Sequence, residues 1–162
     1  MPASPPVAEP LSAPLQQAAR VLRDVFGYGE FRPGQGDVIE AVLAKRDTLA
    51  VMPTGGGKSV CYQVPALLDQ AGLTLVVSPL LALMKDQVDA LQAMGAPAAA
   101  INSTVSPDEQ RQVLADAADG RLRLLYVAPE RFGASGFMAA LRGLSVSLLA
   151  VACSAEPDPS GL

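Results

Sequence analysis

The segment Thr54-Gly55-Gly56-Gly57-Lys58-Ser59 constrains this chain more than any other stretch. An apolar run at residues 48–52 ends in Pro53 just before it, and apolar residues at helical spacing follow over 58–68. The spacing predicts a buried strand, a tight loop and a helix. Glycines let the backbone bend so that successive N–H groups point inward, and the helix adds the positive end of its dipole. Such a loop accepts phosphate oxygens. Lys58 would reach the β- and γ-phosphates of a nucleotide, and the Ser59 hydroxyl would ligate Mg²⁺. The strict pattern has a glycine five residues before Gly57, where this chain has Met52. The competing reading is a glycine-rich turn that caps an ordinary helix.

The remaining chain alternates in the same way. Helices are predicted over 15–26, 36–44, 80–94 and 137–141, and strands over 73–77, 98–101, 122–127 and 146–151. A further helix is signalled by Ser106, Pro107 and Glu109, which supply an N-cap, a residue suited to the first helical position and a capping-box partner. Strands alternating with helices imply an α/β domain, a parallel sheet with helices on both faces. Five prolines among small residues at 1–14 read as a disordered arm, and the polar, proline-rich end after Val151 as an unstructured tail. No internal repeat is visible.

Composition narrows the chemistry. The 162 residues suffice for one domain with a real core and not for a two-domain motor. The absence of histidine excludes imidazole acid-base catalysis and His-ligated metals. Cys61 and Cys153 stand alone, without disulfide or zinc spacing. No apolar run approaches the roughly 18 residues of a membrane span, so a soluble protein of the reducing cytoplasm is expected, associated with the nucleoid if bacterial. The net charge is −4, but Glu9, Glu156 and Asp158 lie in the terminal segments, which leaves 13 acids against 12 bases between them. Charge therefore neither supports nor forbids contact with nucleic acid, and any such contact should be weak and salt-sensitive.

Upstream of the loop stands Phe26-Gly27-Tyr28-Gly29-Glu30-Phe31-Arg32-Pro33-Gly34-Gln35. A glutamine amide can both accept from and donate to the adenine edge, while an aromatic ring or guanidinium stacks on the base, a combination that selects ATP. Read alone, Phe26 and Phe31 are core anchors and Gln35 a solvated surface residue; the position before the phosphate loop is what favours the nucleotide reading.

Together these motifs resemble the N-terminal half of the motor of a RecQ helicase, within helicase superfamily two. Residues 26–35 resemble the family's adenine-reading motif, with Tyr28, Arg32 and Gln35 in its nucleotide-contacting places, and residues 52–67 resemble its motif I. Ser78-Pro79-Leu80-Leu81-Ala82-Leu83-Met84-Lys85-Asp86-Gln87 resembles the next motif, which in the family lies against single-stranded DNA. Asn102-Ser103-Thr104 and Tyr126-Val127-Ala128-Pro129-Glu130-Arg131 resemble two further elements of that side. The resemblance covers residues 15–151 and implies a RecA-like, ATP-dependent 3'–5' DNA helicase domain serving DNA repair and recombination. ATP and Mg²⁺ would be its cofactors, and single-stranded or partly duplex DNA its partner. DNA contacts are implied for Ser78, Pro79, Lys85, Gln87, Asn102, Ser103, Thr104, Pro129, Glu130 and Arg131. Without the resemblance, Lys85 and Arg131 would read as surface-solvating charges.

One departure bears on catalysis. Where the family's strand runs into Asp-Glu-Ala-His, this chain runs from Val151 into Ala152-Cys153-Ser154-Ala155. The family's Asp holds Mg²⁺ and its Glu orients or deprotonates the attacking water, so hydrolysis and unwinding are expected to be lost. The RecA-like sheet is expected to be incomplete, lacking strands beside the one that feeds the loop, with exposed edges and a tendency to aggregate. Two other functions fit parts of the sequence: a regulatory module that binds ATP or DNA without catalysis, and a small kinase of unrelated family. The adenine-side motif counts against the kinase.

Overall fold

The computed structural model describes residues 10–53, 55 and 57–153. Helix α1 (Ala13–Phe26) buries Leu15, Ala18 and Leu22 along one face. It ends where Gly27 turns left-handed at φ 72°, and the Gly27 and Tyr28 amides donate to the Arg23 and Leu22 carbonyls. Helix α2 (Gln35–Leu43) and helix α3 (Val60–Leu68) pack with α1 around Ile39, Val60 and Val64. Phe26 and Phe31 lie against this cluster, as core anchors.

The chain then winds through β1 (Leu73–Val77), α4 (Leu81–Ala93), β2 (Ala98–Ile101), α5 (Pro107–Ala118), β3 (Leu124–Val127), a 3-10 turn (Pro129–Gly133), α6 (Phe137–Arg142) and β4 (Val146–Val151). The four strands are parallel in the order β2-β3-β1-β4. Alternation along them assigns the two faces. Val76, Ala98, Leu124 and Tyr126 meet α3 and α4 through Ala66, Met84, Val88 and Leu91. Leu73, Leu75, Ile101, Leu125 and Val127 meet α5 and α6 through Ala117, Phe137 and Leu141. The expected α/β fold with helices on both faces is what the structure shows.

The expectation of a strand at 48–52 is not met. Leu49 and Val51 are 93% and 91% exposed, and the segment pairs with no strand. A strand exists only by pairing; β1 is taken on both sides by β3 and β4, and residues 48–52 join neither of the open edges, at β2 and β4. Smaller differences sit at element ends. Helix α3 starts at Val60 rather than 58, because Lys58 and Ser59 occupy a turn whose carbonyls accept from Cys61 and Tyr62. Strand β3 starts at Leu124 rather than 122, matching the four residues of β2 beside it. Helix α1 begins inside the predicted arm, with Pro14 in its first turn, where its missing N–H costs nothing. Ala152 extends the β4 pairing by donating to the Val77 carbonyl at 2.9 Å. Residues 1–9 and 154–162 of the predicted arm and tail lie outside the described residues.

Candidate nucleotide site and strand-end rim

Two glycines of the loop, Gly55 and Gly57, adopt φ of 77° and 73°, the left-handed region that favours glycine. Thr54 and Gly56 lie outside the described residues. The loop is held from upstream. Gln35, the first residue of α2, is only 3% exposed. Its Oε1 accepts from the Arg32 amide at 2.8 Å and its Nε2 donates to the Gly57 carbonyl at 3.0 Å. The Arg32 guanidinium donates to the Gly55 carbonyl. The segment containing Arg32 and Gln35 is thereby tied to the loop more than 20 residues later.

Between them opens a cavity of about 280 Å³, bordered by Tyr28, Glu30, Arg32, Gln35, Gly57 and Ser59 among others. That volume sits near the lower end of the range for small-molecule pockets. Tyr28 is half exposed at its mouth, where its ring could cover a flat ligand. Lys58 and Ser59 are half-buried just before the N-terminus of α3, where the helix dipole is positive. The donor set suits a nucleotide phosphate, and the Ser59 hydroxyl is of the type that ligates Mg²⁺. A larger, open depression of about 450 Å³ lies between β2 and α5. Glu109 lines it and no cation does, so it is unsuited to phosphate.

The residues expected to face DNA follow the C-terminal ends of β1, β2 and β3, the rim where parallel α/β sheets place ligands. Ser78 is buried, and its Oγ accepts from the Leu80 amide at 3.4 Å, fixing the entry to α4; Pro79 beside it is exposed. Asn102 Oδ1 accepts from the Thr104 amide and hydroxyl at 2.8 and 2.6 Å, which leaves Ser103 and Thr104 exposed at the crest of a turn. Lys85 pairs with Asp89 one turn along α4. Pro129 and Glu130 are exposed on the 3-10 turn. Arg131 turns partly inward, donating to Gln110 and lying 5.9 Å over the Phe137 ring. Gln87 is half-buried and accepts from the Tyr62 hydroxyl at 2.9 Å.

Sequence reasoning missed that last contact and its neighbour, Gln63 Nε2 donating to the Tyr126 hydroxyl at 3.0 Å. The partners are 25 and 63 residues apart, beyond the reach of any local pattern. Where the family's acidic pair would stand, Ala152 lies half-buried at the end of β4 and Cys153 is exposed.

Among the described residues no helix is long and apolar enough to cross a membrane. The profile of the DEAD/DEAH box helicase family matches residues 32–148. The ATP-dependent DNA helicase RecQ of Synechocystis sp. is 53% identical over 115 residues, covering 71% of this chain and 24% of that protein. The protein of the same name from Bacillus subtilis is 47% identical over 138 residues, covering 85% of this chain and 23% of the relative. The ATP-dependent DNA helicase Q1 of Rattus norvegicus is 45% identical over 117 residues, 71% of this chain and 19% of the relative. The chain thus spans less than a quarter of the length of these curated relatives. With most of its length matched and with its loop, upstream segment and strand-end turns arranged as described, the chain belongs to the DEAD/DEAH box helicase family, on its RecQ branch.

Proposed function

We propose that residues 15–151 form the ATP-binding unit of a RecQ-type 3'–5' DNA helicase motor acting in repair and recombination, and that this chain holds ATP without turning it over. The observation that carries the reading is the anchoring of the loop by Gln35 and Arg32 around one cavity, which joins base-side and phosphate-side groups in a single site. Tyr28 and Arg32 cover the base, Gln35, whose amide is taken by Arg32 and Gly57, fixes the loop beside it, and Lys58 with the loop takes the phosphates. Ser59 would hold Mg²⁺, which neutralises charge on the phosphates when bound. DNA, single-stranded or partly duplex, would cross the strand-end rim at Ser78, Lys85, Ser103, Thr104 and Glu130, positioned chiefly through its backbone. The cytoplasm or nucleoid is where such a protein would work.

Absence of turnover follows from Ala152 and Cys153, which offer neither the carboxylate that holds Mg²⁺ nor the one that orients water. The same substitution favours a second role, a module that binds ATP or DNA and regulates by occupancy alone. Titration with a fluorescent ATP analogue and Mg²⁺ tests the site: saturable binding is expected, weakened about tenfold or more by Lys58→Ala through loss of a charge-assisted phosphate contact. Equal affinity in the two proteins would remove the loop assignment. Phosphate release is expected to stay at the level of Lys58→Ala; DNA-stimulated release above it would show that turnover survives.

A further inference from the structure

We propose that Tyr62 and Gln63 are positioning residues that link occupancy of the phosphate loop to the grip on DNA. Both lie at the start of α3, within four residues of Ser59. Tyr62 donates to Gln87 on α4 at 2.9 Å, and Gln63 donates to Tyr126 on β3 at 3.0 Å. The two tyrosine rings meet edge to face, 6.5 Å apart at 66°. Helix α4 follows directly on Ser78 and Pro79 and carries Lys85, while β3 runs through Ala128 into Pro129, Glu130 and Arg131. The start of α3 is thus cross-linked to two of the three turns on the proposed DNA rim.

Polar side chains are not needed there for packing alone, since apolar groups of the same shape fill a core without the cost of burying a hydroxyl and an amide. Gln63 is 5% and Tyr126 1% exposed, so breaking their bond strands a buried polar group. A displacement of α3 that accompanies filling of the loop therefore draws α4 and β3 with it rather than sliding past them. Burial pushes both phenols above their ordinary pKa, so the hydroxyls keep their protons under working conditions.

The inference rests on the nucleotide site proposed above, and its test separates the two. The full chain is titrated with the fluorescent ATP analogue, with and without a short oligothymidylate. DNA is expected to tighten analogue binding about fivefold or more, within the usual range of coupling between sites. Tyr62→Phe and Tyr126→Phe, each removing one hydroxyl, should keep the affinity measured without DNA and bring the ratio close to one. A complete, cooperative urea transition in each variant, even with a lowered midpoint, excludes loss of fold as the cause. A full ratio in both variants, or a ratio of one in the unaltered chain that still binds the analogue, overturns the inference and leaves the nucleotide site standing. Absence of analogue binding in the unaltered chain overturns both.

Discussion

Gly57 shows how much a single residue decides at this site. Its φ of 73° disfavours any side chain, and a Cβ there would collide with Gln35 Nε2. Gly55 has a similar φ of 77°, but among the described residues no atom lies within 4 Å of where its Cβ would stand. Gly55→Ala is therefore expected to cost only the backbone term, about 1–2 kcal/mol. Gly57→Ala should lose the Gln35 contact as well, a further cost of about 1 kcal/mol for one hydrogen bond, and more if the buried amide finds no other partner. Urea unfolding and analogue titration of the two variants check this. Equal effects would mean that Gln35 does not set the loop. The sequence marked Gly57 and Gln35 separately, by motif and by resemblance, and could not show that they touch across 22 residues.

At the scale of elements, local chemistry was legible and pairing was not. Helix α5 was readable because its signal is contained in four residues: Ser106 Oγ accepts from the Glu109 amide at 3.2 Å, and the Glu109 carboxylate accepts from the Ser106 amide at 3.0 Å. The Ser106 amide, and after it the Ser106 hydroxyl, hold the Glu109 pKa below the ordinary glutamate range. A carboxyl lowered on folding contributes stability above its unfolded pKa and loses it as pH falls through the folded one. Ser106→Ala should lower stability by about 0.5–2 kcal/mol near neutral pH. The difference from the unaltered chain should shrink once acid protonates Glu109. A gap that stays constant down to acid would show that the carboxylate gains nothing from the Ser106 hydroxyl. Residues 48–52 failed as a strand for the opposite reason: an apolar run reports a preference for burial and is silent on the partner strand that alone can satisfy it.

At the scale of the whole molecule, the four-stranded sheet has two edges that are managed differently. At β2 the edge is short, and Gln92 Nε2 occupies the Ala98 carbonyl at 2.8 Å. At β4 the edge is six residues long and carries no charged side chain, with Leu149 and Val151 58% and 67% exposed. Natural sheets blunt such edges with lysine, proline or a bulge; β4 has no lysine or proline, and its one irregularity, at Ser147 between the Leu73–Val146 and Thr74–Leu148 pairs, leaves residues 148–151 in regular register. With Leu49 and Val51 also open to solvent, the chain should associate as its concentration rises. Leu149→Lys places a charge on that edge, far from the loop in sequence, and is expected to shift the distribution toward monomer in sedimentation velocity. Because the charge acts at the edge and not on the core, the urea midpoint should change little. If the lysine variant associates as strongly as the unaltered chain, β4 is not the adhesive surface, and the exposed 48–52 segment becomes the one to charge next.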